Sequence, residues 1–154
     1  MLSEKHVILN AISPAADGFN TGPNSDVFAM RDLESITFIF QHVGGTTGNG
    51  SLIVKACDDV SANNPTAIAA RYRKKTTGAS DAWGAVTALP TTGVTTVATE
   101  DTIYEIEVKA TDLPKTQDFV FLDTTEVTND PVVTSCIAIG ELKYQGLTPP
   151  TVLA

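Results

Sequence analysis

The sequence predicts an all-β fold: a single-domain β-sandwich or jelly-roll-like barrel of about eight to ten short antiparallel strands. Threonine occurs 22 times among 154 residues, beside many valines and isoleucines. These β-branched side chains fit a pleated sheet better than a helix. Eleven glycines and eight prolines recur between the apolar stretches, where turns need them. No long stretch repeats its apolar residues with the 3.6-residue period of an amphipathic helix.

Short apolar runs between turn signals define the predicted strands. In chain order they cover residues 6–12, 27–30, 35–43, 51–57, 66–76, 85–89, 94–99, 102–110, 119–125 and 132–140. Strand 35–43 alternates with a period of two, so that Ile36, Phe38 and Phe40 share one face, as in a half-buried strand. Strand 51–57 alternates in the same way, and the glycine-rich segment between the two predicts that they form a hairpin.

The later strands differ in their patterns. Strand 66–76 alternates apolar residues with arginine and lysine, and strand 102–110 directs aromatic and aliphatic residues to one face and acidic residues to the other. Strand 94–99 is rich in threonine and valine, which predicts an exposed edge. Strand 119–125 alternates phenylalanine with aliphatic residues. Strand 132–140 is mostly apolar, which predicts burial on both faces.

The sequence predicts one domain with an extension at each end. Residues 27–144 form the predicted core, residues 1–26 an N-terminal strand and a loop, and residues 145–154 an extended tail. The loop at 13–26 is long for a compact domain. Either extension can order on a neighbouring molecule or fold back on its own domain, and both alternatives stay open. Tail residues whose burial would contribute about 1.5–3 kcal/mol each are Leu147, Val152 and Leu153.

Charge excludes two classes of partner. Ten basic and eighteen acidic side chains give a net charge of −8 and a pI near 4.5. Because nucleic acids and anionic membranes attract basic surfaces, we expect neither as a partner. No run of about 18 apolar residues predicts a membrane span. The first residues, MLSEKH, lack the pattern of a secretory signal peptide, so we expect no export.

No grouping of residues predicts catalysis, so we expect no enzyme and no cofactor. The two histidines, His6 and His42, are too few for a histidine-based metal site, and the Gly-x-Ser-x-Gly motif of serine hydrolases is missing. The glycine-rich segment 44–50 lacks the Lys-Ser/Thr of a phosphate-binding loop. The acidic pairs at 58–59 and 100–101 lack the alternating spacing of calcium loops, and they predict solvated loop acids.

Two cysteines, Cys57 and Cys136, lie in predicted apolar strands. A disulfide would need their Cα atoms within about 7 Å, which their positions in the sequence do not fix. A free cysteine often packs as a small hydrophobic residue, and the chain shows no export signal. We therefore favour two buried thiols.

Positive charge is concentrated in Arg-Tyr-Arg-Lys-Lys at residues 71–75. On a strand, Arg71, Arg73 and Lys75 would share one face as a basic stripe, with about 6–7 Å between neighbours. One hypothesis is that this stripe binds an acidic partner protein. The alternative is that it protects a sheet edge from pairing with other sheets. Nucleic acid is disfavoured, because only Tyr72 accompanies the stripe.

Four segments stand out as a set: the aromatic strand and glycine-rich segment at 38–50, the motifs VKACDD and NPTAIAARYRKK within 54–75, DTIYEIEVKATDL at 101–113, and the apolar strand leading to KYQ within 132–145. Together they resemble small virion structural proteins of tailed bacteriophages and prophages. The resemblance covers residues 20–145 and consists of strand patterns, without a catalytic signature.

The resemblance implies a non-enzymatic capsid decoration (cement) protein that binds the outer surface of the phage head and bridges capsid subunits. It implies two partners, the major capsid protein and further copies of this chain in a trimer or dimer. It places the protein on the head surface of the virion, assembled in the host cytoplasm. The alternatives are a tail-tube or tail-associated subunit and a carbohydrate-binding β-sandwich module. The candidate partner-binding residues are Arg71, Arg73, Lys75, Leu147, Val152 and Leu153.

Overall fold

The computed structural model describes residues 6–20, 22–76 and 82–144. These residues form a β-sandwich of two antiparallel sheets without an α-helix, which confirms the predicted fold class. The described part contains eleven strands, slightly more than expected, and one turn of 3-10 helix at Ala110–Asp112. The strands are β1 (His6–Ala15), β2 (Phe28–Ala29), β3 (Leu33–His42), β4 (Asn49–Cys57), β5 (Thr66–Ala67), β6 (Ala70–Thr76), β7 (Thr87–Leu89), β8 (Val94–Thr95), β9 (Thr102–Lys109), β10 (Phe119–Thr128) and β11 (Thr134–Leu142). No helix in these ranges has the length and apolar character that a membrane crossing requires.

Strands that are distant in sequence lie side by side in both sheets. The six-stranded sheet has the order β1-β11-β3-β9-β6-β7. The five-stranded sheet has the order β2-β10-β4-β5, and β8 also pairs with β4. All of these pairs are antiparallel. The chain therefore crosses between the sheets several times.

The inner faces of the two sheets enclose an aliphatic and aromatic core. In β3, β4 and β9 the predicted alternation is confirmed, because the inward side chains are at most 1% exposed. These side chains are Ile36, Phe38, Phe40, Leu52, Val54, Ala56, Tyr104, Ile106 and Val108. Burial raises the pKa of Tyr104 to about 12, so its phenol stays neutral.

The predicted hairpin of strands 35–43 and 51–57 is wrong. β3 pairs with β11 and β9 in one sheet, whereas β4 pairs with β10, β5 and β8 in the other. The glycine-rich segment between them crosses from sheet to sheet. Alternation identifies a strand and its buried face, but it does not determine which sheet the strand joins.

Two carboxylates hold this crossing in place. The Gly44 N–H donates to Asp101 Oδ1 over 2.7 Å. Thr47 donates to Asp130 Oδ2 through its N–H, over 3.1 Å, and through its hydroxyl, over 3.0 Å. These bonds, above all the one from the backbone N–H, lower the pKa of Asp130. The glycine-rich segment is therefore a structural crossing tied to two neighbouring loops.

The predicted strand 66–76 is two strands in different sheets. β5 pairs with β4 in the five-stranded sheet, and β6 pairs with β9 and β7 in the six-stranded sheet. The chain changes sheet at Ile68 and Ala69, where the Ile68 N–H donates to the Val54 carbonyl oxygen over 3.0 Å. Because Ile68 and Ala70 are both buried, the alternation continues through the crossing and conceals it.

The last predicted strand, 132–140, corresponds to β11, and it is not buried on both faces. Cys136 and Ala138 are each 1% exposed, whereas Ile137 between them is 46% exposed. β11 lies between β1 and β3, so its side chains alternate between the core and the outside of the sandwich. The apolar run at 136–139 thus reflects aliphatic side chains on the outside of the sheet as well as in the core.

Cys57 and Cys136 are free, buried thiols, as the sequence favours. Burial is the main cause that raises the pKa of both thiols, in Cys136 to about 12. Since the thiolate is the reactive form, both side chains are inert near neutral pH.

The N-terminal loop packs against its own domain, which is one of the two alternatives that the sequence leaves open. Phe19 in this loop is 1% exposed, and its ring centroid lies 5.9 Å from those of Phe40 and His42. Gly50 makes room for this ring, because a Cβ there would lie 2.3 Å from it. The tail at 145–154 lies outside the described residues, and the division at residues 26 and 144 stays a prediction.

Replacing Phe19 by alanine tests this anchoring. We expect Phe19→Ala to lower the free energy of unfolding by about 3–5 kcal/mol, the usual cost of deleting a buried aromatic ring. Urea denaturation followed by circular dichroism measures the change. Val127→Ala, at a residue that is 56% exposed, is the control and should change stability by less than about 0.5 kcal/mol. Equal stability of the Phe19 variant and the wild type would mean that the loop is not anchored.

Candidate binding surface

The outer face of the six-stranded sheet, called the outer face below, has a charged half on β9 and β6 and a largely uncharged half on β1, β11 and β3, in which Glu141 of β11 is exposed and charged. The strand register arranges its side chains in rows that cross the strands. One row contains Asn10, Ile137, Ile39, Glu105 and Arg73, and the next contains Ile8, Ile139, Thr37, Glu107 and Arg71. These two rows begin with uncharged residues on β1, β11 and β3 and end with an acidic residue on β9 and an arginine on β6. The adjoining row on the same face places Glu141 of β11 beside Ile139, and the Ser35 hydroxyl donates to Glu141 Oε2 over 3.3 Å.

The basic stripe is present on β6, and its arginines are paired within the sheet. Arg73 donates to Glu105 Oε2 from Nε over 3.0 Å and from Nη2 over 2.7 Å. Arg71 Nη2 lies 2.7 Å from Glu107 Oε1. Lys75 follows on the same strand and also stands opposite β9. The acidic groups nearest to the arginines are thus side chains of this chain, which balance the local charge.

Arg73 also stacks on the single tryptophan. Its guanidinium carbon lies 4.6 Å from the ring centroid of Trp83, within the range of a cation–π contact. Trp83 is 38% exposed, and the guanidinium covers one face of its ring. A shallow depression beside these groups is lined by Arg71, Tyr72, Arg73, Val86, Glu105 and Glu107. The arginines and glutamates of this lining are already paired with one another.

Isoleucines dominate the uncharged half of the outer face. The isoleucine patch consists of Ile8, Ile39, Ile137 and Ile139. Ile8 is 42% exposed and Ile137 is 46% exposed, and the other two are half-buried. At the end of the patch the Val43 N–H donates to the Val133 carbonyl oxygen over 3.0 Å, and both valines are exposed. This group of neighbouring aliphatic side chains is therefore the candidate binding surface of the described chain.

The sequence pattern predicts the charged half of the outer face but not the isoleucine patch. A mostly apolar strand such as 132–140 indicates burial on both faces, so Ile137 and Ile139 are expected inside. One signal does point to the patch. Ile39 and Ile137 both alternate with the buried residues of their strands, so they lie on the opposite, outward side. That they are neighbours follows only from the order of the strands in the sheet.

The other groups considered as chemical sites have structural partners. His42 is 1% exposed, and its Nδ1 lies 3.1 Å from the Glu100 carbonyl oxygen; His6 is half-buried at the start of β1. Asp59 accepts a hydrogen bond of 2.7 Å from Asn63 Nδ2. This bond is the main cause that lowers the pKa of Asp59, and a bond from the Asn63 backbone N–H adds to the effect. Across the described parts of the chain, no group of three or more His, Cys, Asp or Glu side chains is placed to hold a metal ion.

The three candidates in the tail, Leu147, Val152 and Leu153, lie outside the described residues. Their role in partner binding stays a prediction.

Comparisons with known proteins return one structural likeness. No protein-family model matches the chain, and no curated protein matches it in sequence. Among solved structures, the chain is similar to the crystal structure of the SPBc2 prophage-derived protein YomS, at 12% sequence identity and a TM-score of 0.48. The match covers 88% of this chain and 93% of that chain. Neither function nor origin follows from a likeness at this level.

Alanine variants of Arg73 and Glu105, made singly and together, test the ion pairs of the outer face. The two side chains are 36% and 28% exposed, so we expect a coupling energy of about 0.5–1 kcal/mol in the free energy of unfolding. The coupling should shrink in 1 M NaCl, where the screening length is about 3 Å. Urea denaturation of the four proteins measures it.

The matched control is the pair Arg31 and Asp32, which lies on the surface at 3.8 Å with side chains 82% and 50% exposed. Its two alanine substitutions should be additive. Additivity at Arg73 and Glu105 as well would show that the arginine is unpaired in solution and available to an acidic partner.

Proposed function

We propose that this chain is a non-enzymatic structural protein of a phage virion, a capsid decoration protein that binds the outside of the head through the isoleucine patch. The observation that carries the proposal is this uncharged, aliphatic surface on the outside of a sheet. The set of segments that resembles small virion structural proteins supports the same assignment. In this role the protein bridges capsid subunits and stabilises the shell.

The distribution of charge favours docking through this half of the outer face. The chain has a net charge of −8, and a surface with excess charge loses hydration free energy when it is covered. The four isoleucines themselves carry no charge, and the neighbouring arginines are balanced by glutamates 2.7 Å away. Contact through the patch therefore removes apolar surface from water, with Glu141 and the arginine–glutamate pairs at its border.

The expected strength of one contact is modest. Complete burial of an isoleucine side chain contributes about 1.5–3 kcal/mol relative to full exposure, and Ile8 and Ile137 are already more than half covered. A decoration protein needs only such modest contacts, because copies that are linked to one another bind a repeating shell at many points.

The ion pairs form a polar border to the patch. Arg71, Arg73 and Lys75 lie on β6, two strands away from β3. Charged groups at the rim of an interface affect the rate of encounter and its salt dependence more than the final affinity. The basic stripe is therefore a secondary element of the proposed docking surface.

The structure offers less support for a carbohydrate-binding module. Such a module stacks sugars on a flat row of exposed aromatic rings. Among the described residues, the large exposed aromatic side chains are Trp83 and Tyr144, and the Arg73 guanidinium occupies one face of the tryptophan. A tail-tube or tail-associated subunit remains the alternative, and it differs from a decoration protein in its location on the particle.

Ile137→Lys tests the docking surface. Because the variant would bury an unpaired lysine in the contact, we expect binding to heads to weaken at least about tenfold. Co-sedimentation with heads that lack this protein measures the binding, and circular dichroism verifies the fold. Val127→Lys is the matched control: it is 56% exposed and lies on the other sheet, so it should bind as the wild type does.

Unchanged binding of the Ile137 variant would exclude the patch as the docking surface. Wild-type protein that sediments with tails and not with heads would overturn the decoration role in favour of the tail alternative.

A further inference from the structure

We propose that β1 pairs edge to edge with β1 of a second copy of this chain, antiparallel and about a two-fold axis. β1 ends the six-stranded sheet and contains ten residues. The other strands that end the two sheets are short: β7 has three residues, and β2 and β5 have two each. Short edge strands prevent unwanted pairing between sheets, and β1 lacks this protection.

The first half of β1, residues 7–10, also lacks the side chains that protect an edge, whereas the second half has register shifts at 10–15 and Pro14. Natural edge strands carry lysine, other charges or proline for this purpose. No charged residue occurs from Val7 to Ala15, and the proline of this strand comes only at position 14. The N-terminal loop reaches the edge at Ala11, whose carbonyl oxygen accepts a bond of 3.1 Å from the Asp26 N–H. Residues 7–10 pair with β11 on their inner side, and among the described strands no other pairs with them.

Symmetry favours a second copy, and the absence of local charge at residues 7–10 permits one. A chain with a net charge of −8 repels itself, so self-association requires a contact without local charge, and Val-Ile-Leu-Asn at 7–10 supplies one. Two identical strands that run antiparallel about a two-fold axis complete each other's backbone hydrogen bonds. Each copy thereby covers the edge that residues 7–10 leave open in the described part of the sandwich.

The pairing joins two outer faces into one. Ile8 points outward from β1 and is 42% exposed, so the two Ile8 side chains would approach each other across the new strand pair. The two six-stranded sheets become one continuous sheet with an isoleucine patch on each side of the two-fold axis. This inference goes beyond the docking proposal, because it concerns the edge of β1 and not the docking surface. Its test uses no phage head, so the two proposals can fail independently.

Sedimentation velocity of the full chain tests the pairing. We expect a dimer, with twice the chain mass of 16.2 kDa. Ile8→Lys places two lysines close together across the axis, which should raise the dissociation constant at least about tenfold. Asn10→Lys, at the next exposed position on the strand, should have the same effect. It keeps the test valid if the Ile8 variant fails to fold.

Ile137→Lys is the matched control. Ile137 lies on the same outer face, opposite Asn10 but one strand further from the edge, so its lysine variant should remain a dimer. A monomeric wild type would overturn the proposal, and so would a dimer that survives both lysine variants of β1. Loss of the dimer in the Ile137 variant as well would indicate that the outer faces stack, which contradicts edge pairing.

Discussion

The two-residue period of the strands is the constraint on which the rest of this structure depends. One set of side chains lies in the core, where aromatic rings pack closely. The ring centroid of Phe40 lies 5.9 Å from that of Phe19 and 6.5 Å from that of Tyr104. The opposite set then has to face outward. On β11 and β3 that outward set includes Ile137, Ile139 and Ile39, and on β9 and β6 it includes the paired glutamates and arginines. The core and the candidate binding surface are thus two consequences of one pattern.

Alternation in the sequence predicts which residues form a strand and which of them are buried. It does not predict which strands pair, because pairing depends on the order of the strands in each sheet. The buried positions of β3, β4 and β9 follow from alternation alone, and the structure confirms them. The hairpin of β3 with β4 is wrong because both strands alternate in the same way whichever sheet they join. The acidic residues Glu105 and Glu107 and the basic stripe are visible in the sequence, but their pairing depends on β6 and β9 being neighbours.

An aliphatic outer surface and an unprotected edge strand fit together in a protein that works through contacts. The isoleucine patch offers a surface without charge in a chain of net charge −8, and the open edge of β1 borders that same patch. If two copies join at this edge, each dimer presents two patches in one plane. Two linked sites bind a repeating lattice more strongly than two separate ones, which suits a protein that bridges the subunits of a shell.

Electron cryomicroscopy of phage heads that carry this protein would show which of its surfaces docks. Docking through the isoleucine patch predicts density on the outside of the head in which the six-stranded sheet lies against the capsid protein and the side chains of Ile39, Ile137 and Ile139 are covered. Density confined to the tail would contradict it. So would a sandwich attached through its five-stranded sheet, with the isoleucines turned toward solvent.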